Sequence, residues 1–322
     1  MPLAASLALA LGLGQAVAQE VSLTHAQGEI TLPAAPQKIA VFDLPTLDII
    51  QALGKSDLVV AVPKTAERTN FPAHLTAFAE DRHAPAGTLF EPDASVLQSI
   101  GPDLIVLGGR SRSKFEDMGA IAPTVDMSAG DGDIVATVIA NTENLGRLLG
   151  AEDAAATRIA AFRDTIARTH ELGAKAGTGL LLFGAGENIR AEAPARRFGA
   201  VYELVGIEPA IALAEAATGP RPEPGSPEAE AARQRAQEAL EAALASNPDW
   251  IFTIDRNSRR RQYRDPPAAR TPGRGCGVTA TDAWQAGRVV HLDGKIWYLM
   301  GGGIDAMTAS AEAAAEAFAK AQ

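Results

Sequence analysis

Short apolar runs alternate along the first part of the chain with stretches that repeat apolar residues at helical spacing. The runs at residues 39–42, 58–62 and 103–107 are almost wholly apolar, which is typical of strands buried on both faces. Between them, residues 44–53 and 92–100 carry the spacing of amphipathic helices. This β-α-β-α order predicts a parallel sheet covered by helices on both sides.

The period becomes helical from about residue 134 to residue 174, with a break at Gly150. Its second part, residues 151–172, has apolar residues on one face and charges on the other. At ~1.5 Å per residue this helix would span roughly 33 Å, about the width of a small domain. It is either an ordinary surface helix or a rigid strut between two lobes.

A second β-α-β set follows, with apolar runs at residues 179–183, 250–254 and 289–292 and a closing Ala-rich helix from Asp305. Helices are predicted between them, near residues 198–205 and 231–245. The predicted fold class is therefore α/β, with two lobes built on mainly parallel sheets and bridged by a single long helix. The predicted divisions are 19–150, 151–173 and 174–322.

The first 18 residues are apolar and uncharged, and they end in Ala16-Val17-Ala18. This pattern is typical of a secretory signal with its cleavage site, and a buried N-terminal helix is the alternative. Residue 19 is Gln and not Cys. We therefore expect a periplasmic protein without a lipid anchor.

Composition limits the classes of partner. The chain has 29 basic and 39 acidic residues and a net charge of −10, which argues against binding nucleic acid or an anionic membrane through the whole surface. Cys276 is the single cysteine, so an intramolecular disulfide and a cysteine-based metal site are excluded. Any anion site must be local.

Three arginines suggest such a site. Arg110, Arg197 and Arg256 stand in LIVLGGR, ARRFG and WIFTIDR, each just past an apolar run that resembles a buried strand. Ligands of open α/β sheets sit beyond the carboxyl ends of the strands, so the three could line one cationic pocket for an anion. Surface salt bridges are the alternative for each of them.

Several segments of this chain, taken in order, resemble a known family, the substrate-binding components of ABC importers for ferric siderophores, especially the catecholate binders. The segments are KIAVFDLPTLDIIQALG, GTLFEPD with PDLIVLGGR, ARRFGAVYELVG, NPDWIFTIDR and AWQAGRVVHLDGKIWYLMGGG. The resemblance covers most of the chain from about residue 21. It implies a monomer with no enzymatic activity and no cofactor, which delivers a ferric siderophore to an ABC permease in the inner membrane.

The resemblance also implies roles for individual residues. Arg110, Arg197 and Arg256 would line the cleft, where guanidinium groups can donate several hydrogen bonds to the phenolate oxygens of a ferric tris-catecholate. Tyr298 would be a possible iron ligand through its phenolate oxygen, or else a structural aromatic residue. Glu91 and Glu203 would dock the two lobes on the permease, or else be ordinary solvated glutamates.

Two departures from the family pattern matter. The family's binders of tetradentate siderophores pair the tyrosine with a histidine, and residues 208–247 contain none. A hexadentate complex, bound by charge and shape without protein ligation of iron, is therefore expected. The segment 257–277 is rich in Arg, Pro and Gly, and it predicts a poorly packed loop.

Other functions remain as alternatives. A carrier of haem, cobalamin or a hydroxamate siderophore could use the same fold, although a neutral hydroxamate complex would not require three arginines. An α/β enzyme has little support. Gly184-x-Gly186 lacks the third glycine of a dinucleotide fingerprint, residues 301–303 lack the Lys-Ser/Thr of a phosphate loop, and neither G-x-S-x-G nor H-E-x-x-H occurs.

Overall fold

The protein begins with a β-hairpin and continues into two α/β lobes. The computed structural model describes residues 20–65, 71–128, 133–185, 188–194, 196–211, 222–256 and 277–321. The predicted signal sequence and nearly all of the predicted loop 257–277 lie outside these residues. Strands β1 (Val21–His25) and β2 (Gly28–Leu32) form the hairpin, as the alternating pattern there suggests.

The first lobe is built on a parallel sheet with the strand order β5-β4-β3-β6-β7. Its strands are β3 (Ile39–Val41), β4 (Val59–Val62), β5 (Ala84–Pro85), β6 (Leu104–Leu107) and β7 (Thr124–Asp126). All four residues of β6 are fully buried, which explains why its sequence is apolar without alternation. The helices of this lobe are α1 (Leu44–Ala52), α2 (Ala94–Ile100) and α3 (Phe115–Gly119).

Aspartates begin the first two helices. The side chain of Asp43 accepts a hydrogen bond from the backbone nitrogen of Thr46, and Asp93 caps α2 in the same way. Each cap pairs a backbone N–H that the first helical turn leaves without a partner.

Two helices lead from the first lobe to the second. They are α4 (Ile134–Leu148) and the 22-residue α5 (Glu152–Gly173), separated at Gly150, whose φ of +57° favours glycine. Helix α5 buries Ile159, Phe162 and Ile166. Of these two helices, α5 is the long one that the periodicity predicted as the bridge between the lobes.

The second lobe has a sheet with the order β10-β8-β11-β12. These strands are β8 (Thr178–Ala185), β10 (Glu208–Pro209), β11 (Trp250–Asp255) and β12 (Val289–Leu292), all parallel. A further strand that the sequence analysis missed, β9 (Asn188–Glu192), runs antiparallel to β8. The helices are α6 (Ala200–Val205), α7 (Pro227–Ala245), α8 (Asp282–Gln285) and α9 (Ile304–Lys320).

Helix α9 is fastened to the first lobe. The buried carboxylate of Asp48, on α1, accepts hydrogen bonds from the backbone nitrogens of Asp305 and Ala306 at 2.9 and 3.0 Å, and it also bonds the ring of His74. Gly303 has a φ of +90°, and a Cβ atom there would lie 2.7 Å from Cγ of Asp48. Glycine at this position therefore lets the two elements approach. No helix within the described ranges is both long and apolar enough to cross a membrane.

Candidate ligand-binding cleft

A cleft of about 1270 Å³ lies between the lobes. The first lobe contributes the start of α1, residues 89–90, 109–110 and 112, and the first turns of α4. The second lobe contributes residues 196–200, 202–203 and 297–303. Groups from both lobes therefore face the same space.

Tyr298 lies where three arginines meet. It belongs to a π-helical turn, Ile296–Met300, that follows β12. The guanidinium carbons of Arg110, Arg197 and Arg256 lie 5.4, 4.7 and 4.5 Å from the centre of its ring. We call these three residues the arginine cluster. The structure thus brings together all four ligand-binding residues predicted from the sequence.

The backbone of Tyr298 also takes part. Its carbonyl oxygen accepts hydrogen bonds from Nη2 of Arg110 at 2.5 Å and from Nη2 of Arg197 at 2.9 Å. Arg110 belongs to the first lobe and Arg197 to the second. One carbonyl group therefore receives hydrogen bonds from both sides of the cleft.

Acidic partners of the arginine cluster are missing from the part of the chain that the structure describes. Among the described residues, none of its members forms an ion pair with a carboxylate. Burial lowers the pKa of Arg110, and the charge of Arg197 lowers it further, with a smaller contribution from Arg256. The site concentrates positive charge in an acidic protein, which suits an anionic ligand.

Arg197 reaches the cluster by a route that the sequence analysis did not foresee. Arg110 and Arg256 follow the carboxyl ends of parallel strands β6 and β11, but Arg197 follows the antiparallel β9 and stands in a tight turn before α6. Its guanidinium lies 5.0 Å from the ring of Phe198. Phe198 is buried and stacks on Phe183 of β8 at 4.7 Å, so the second-lobe core positions this arginine.

Phe90 was missed by the sequence analysis. Its side chain is 55% exposed and lines the cleft, and the guanidinium of Arg110 lies 5.4 Å from its ring centre. Arg110 is thus at the same distance from two rings, those of Phe90 and Tyr298. The hydroxyl of Thr88 holds this turn by accepting from the backbone nitrogens of Phe90 and Glu91. A phenylalanine inside a turn of polar residues was the available signal.

A carboxyl group stands at the cleft wall beside β6. Burial raises the pKa of Asp43 to about 7, against the opposing effect of its hydrogen bonds from Thr46. A Cβ atom on Gly108 would lie 2.0 Å from Oδ1 of Asp43. The first glycine of LIVLGGR therefore makes room for this aspartate.

The two glutamates predicted to dock on the permease have different surroundings. Glu91 is 68% exposed at its side chain and pairs with Lys114 at 2.8 Å. Glu203 lines the cleft, and its carboxyl group approaches Asp133 and the backbone nitrogen of Val135 at the start of α4. Burial and the neighbouring Asp133 raise the pKa of Glu203 to about 7.

Protein ligands for a metal ion are scarce. The described residues contain no group of three or more His, Cys, Asp or Glu side chains that could hold one. His291 lies on β12, where its Nδ1 pairs with the hydroxyl of Thr253 on β11 at 2.7 Å.

Two lobes that enclose a cleft, with polar groups contributed from both sides, define a bilobal substrate-binding protein. The chain belongs to the periplasmic binding protein family (Peripla_BP_2), which it matches over residues 39–296.

Individual relatives agree with this assignment. The petrobactin-binding protein YclQ of Bacillus subtilis is 27% identical over 278 residues, which cover 86% of this chain and 81% of YclQ. Its crystal structure has a TM-score of 0.75 and covers 93% of this chain and 99% of its own, at 24% identity. A family member from Xylanimonas cellulosilytica has a TM-score of 0.73 at 28% identity, covering 90% and 92% of the two chains. The ferric-anguibactin-binding protein FatB of Vibrio anguillarum is 20% identical over 89% of this chain and 84% of its own.

Proposed function

We propose that this protein captures an anionic ferric siderophore between its lobes and delivers it to an ABC permease. The observation that carries the proposal is the arginine cluster, three guanidinium groups without a carboxylate partner among the described residues, gathered from both lobes. Fixed positive charges on both sides of a cleft favour an anion that spans it.

The catecholate class fits the chemistry of the lining best. A ferric tris-catecholate spreads its negative charge over phenolate oxygens, which accept hydrogen bonds from guanidinium groups. Its flat aromatic rings can pack against the exposed ring of Phe90, which lies beside Arg110. The names of the relatives YclQ and FatB, petrobactin-binding and ferric-anguibactin-binding, are consistent with a siderophore as ligand.

The protein acts in this proposal as a carrier without bond chemistry. The family consists of binding proteins, and the cluster around Tyr298 offers hydrogen-bond donors and aromatic surface. Export through the signal at residues 1–18 would place it in the periplasm, as a monomer. Its ligand would be the transported siderophore and not a resident cofactor.

Docking on the permease is a separate part of the proposal. The carboxylate of Glu91 is exposed beside the cleft, where a basic pocket of a partner could reach it. Glu203 is the corresponding candidate on the second lobe, although its carboxyl group already contacts Asp133. Glu91→Ala should therefore reduce siderophore uptake in cells while leaving ligand affinity unchanged.

Fluorescence titration of the purified protein tests the function. Trp297 is next to Tyr298 and lines the cleft, so a bound ferric complex should quench its emission. We expect quenching by a ferric tris-catecholate at far lower concentration than by a neutral ferric hydroxamate or haem. The variant with all three cluster arginines changed to alanine should lose this preference, and Arg82→Ala, outside the cleft, should keep it. Preferential binding of haem or of the neutral complex would overturn the proposal.

A further inference from the structure

The contacts of Tyr298 with the arginine cluster use only two parts of the residue. The ring faces the three guanidinium groups, and the main-chain oxygen accepts from Arg110 and Arg197. The phenolic hydroxyl forms no hydrogen bond with any other described residue. The side-chain oxygen is therefore not what joins Tyr298 to the cluster.

Three cations around one ring repel one another. Burial is the main cause of the lowered pKa of Arg110, and the charges of Arg197 and Arg256 lower this pKa further through their repulsion. The negative face of an aromatic ring attracts guanidinium groups within ~6 Å of its centre, and a carbonyl dipole attracts them as well. Tyr298 supplies both attractions at the point where the charges converge.

Tyr298 is itself held in place. Asp293 accepts hydrogen bonds from the backbone nitrogens of Lys295 and Ile296, which fixes the start of the π-helical turn. Gly301 ends the turn with a φ of +65°. The ring of Tyr298 also stacks with Phe183 at 6.4 Å. A fixed ring and carbonyl can hold mobile arginine side chains in a defined arrangement.

The arrangement leaves donors for a ligand. A guanidinium group has five N–H donors in a rigid fork, and the Tyr298 carbonyl occupies one nitrogen each of Arg110 and Arg197. Arg256 lies over the ring of Tyr298, and among the described residues it makes no hydrogen bond to the carbonyl oxygen of Tyr298. The remaining N–H groups are oriented but still able to bind oxygen atoms of an anion.

We infer that Tyr298 is the positioning residue of the arginine cluster and that its ring and main-chain oxygen, not its hydroxyl, carry its contribution to binding. This inference rests on the proposed function and deepens it. It replaces the role of iron ligand that the family resemblance implies.

The variants Tyr298→Phe and Tyr298→Leu separate the two roles. Phenylalanine keeps the ring and the carbonyl, so affinity for a ferric tris-catecholate should stay within roughly threefold of wild type. Leucine removes the ring, and affinity should fall roughly tenfold to a hundredfold. Tyr298→Met supplies the same loss of the ring if the leucine variant does not fold.

Visible absorption gives a reading specific to iron ligation. A bis-catecholate ferric complex, which leaves coordination sites open, should show the same absorption with wild type and with Tyr298→Phe. A charge-transfer band present with wild type and absent with Tyr298→Phe would overturn the inference. So would a loss of affinity in Tyr298→Phe as large as in Tyr298→Leu.

A measurement without ligand distinguishes this inference from the proposed function. Ring currents of Tyr298 should shift the Nε–Hε resonances of the cluster arginines in ¹⁵N NMR spectra. These shifts should persist in Tyr298→Phe and disappear in Tyr298→Leu, while the resonance of Arg82 stays unchanged. Identical arginine resonances in wild type and Tyr298→Leu would refute the positioning role, whatever ligand the protein binds.

Discussion

A guanidinium nitrogen of Arg110 donates to the main-chain oxygen of Tyr298, which stands 188 positions later in the chain. This hydrogen bond joins the first lobe to the second at the same place where a ligand would meet both. If the proposed function is right, ligand affinity and the relation between the lobes depend on the same side chain, that of Arg110.

Adjacent arginines provide a matched test of the cluster. Arg197 contacts the ring and the carbonyl of Tyr298, whereas Arg196, at the edge of the cleft, makes neither contact. Arg197→Ala should weaken binding of a ferric tris-catecholate roughly tenfold or more, because a charge-assisted hydrogen bond is lost. Arg196→Ala should change it less than threefold by the same titration. Equal losses of affinity in both variants would show that the ligand responds to overall positive charge and not to the arrangement of the arginine cluster.

Phe90 should contribute to binding through its exposed ring. Phe90→Ala removes a surface on which an aromatic group of the ligand can pack, and it frees one side of Arg110. We expect the affinity of Phe90→Ala for a tris-catecholate to be roughly threefold to tenfold lower than that of wild type. Phe90→Tyr keeps an aromatic ring and should bind as wild type does. Isothermal titration calorimetry measures both variants. An unchanged affinity in Phe90→Ala would place this ring outside the binding surface.

The glycines after β6 should differ in their tolerance of a methyl group. A Cβ atom at Gly108 would lie 2.0 Å from Oδ1 of Asp43, whereas at Gly109 the nearest contact is Oγ of Ser128 at 3.8 Å. Gly108→Ala should lower the free energy of unfolding by about 1 to 3 kcal/mol, since the carboxyl group of Asp43 is held in place by two hydrogen bonds from Thr46. Gly109→Ala should be close to neutral. Urea denaturation of the two variants decides the matter, and similar midpoints would contradict the close contact.

Much of the fold follows from local pattern. Strands β4, β6 and β11 could be predicted from their apolar runs, and α5 from its long stretch of helical periodicity. Strands buried on both faces and long amphipathic helices leave strong signals in a sequence. Strand β9 could not, because Asn188–Glu192 has only two apolar residues, Ile189 and Ala191, and pairs with only one neighbour, β8. Its side chains therefore lack the continuous apolar run of a central strand.

That Arg110, Arg197, Arg256 and Tyr298 lie together could be predicted from the sequence, but their arrangement could not. Arg110 and Arg256 each follow an apolar strand, one in each lobe, so it could be inferred that both face the cleft between the lobes. Nothing in the sequence shows that Tyr298 lies beneath all three guanidinium groups, because that depends on a π-helical turn and on the approach of two lobes. Phe90 was missed for the same reason. Phe90 lies in a turn, and it lines the cleft only because the two lobes come together in the folded protein.

The two aspartates that cap α1 and α2 should give opposite responses to pH. The pKa of Asp43 is raised to about 7 from 3.8 by burial, whereas hydrogen bonds from Ser95 and Val96 lower the pKa of Asp93. A raised pKa means that folding favours the protonated acid. The contribution of Asp43 to stability is therefore present at low pH and is lost as pH rises from about 4 to about 7. The contribution of Asp93 to stability is present above the pKa that Asp93 has in the unfolded chain, and it is lost as the pH falls through the lower pKa of the folded protein.

Asparagine at either position keeps an oxygen that can cap the helix but removes the titration. Asp43→Asn should remove part of the decline in unfolding free energy between about pH 4 and pH 7, and should stabilise the protein at pH 8 by roughly 1 to 3 kcal/mol. Asp93→Asn should instead flatten the loss of stability at acid pH, without a gain at pH 8. Chemical denaturation across this pH range measures both curves. If Asp43→Asn follows the wild-type curve throughout, then Asp43 is charged in the folded protein and the cleft wall beside Gly108 carries a negative charge at neutral pH.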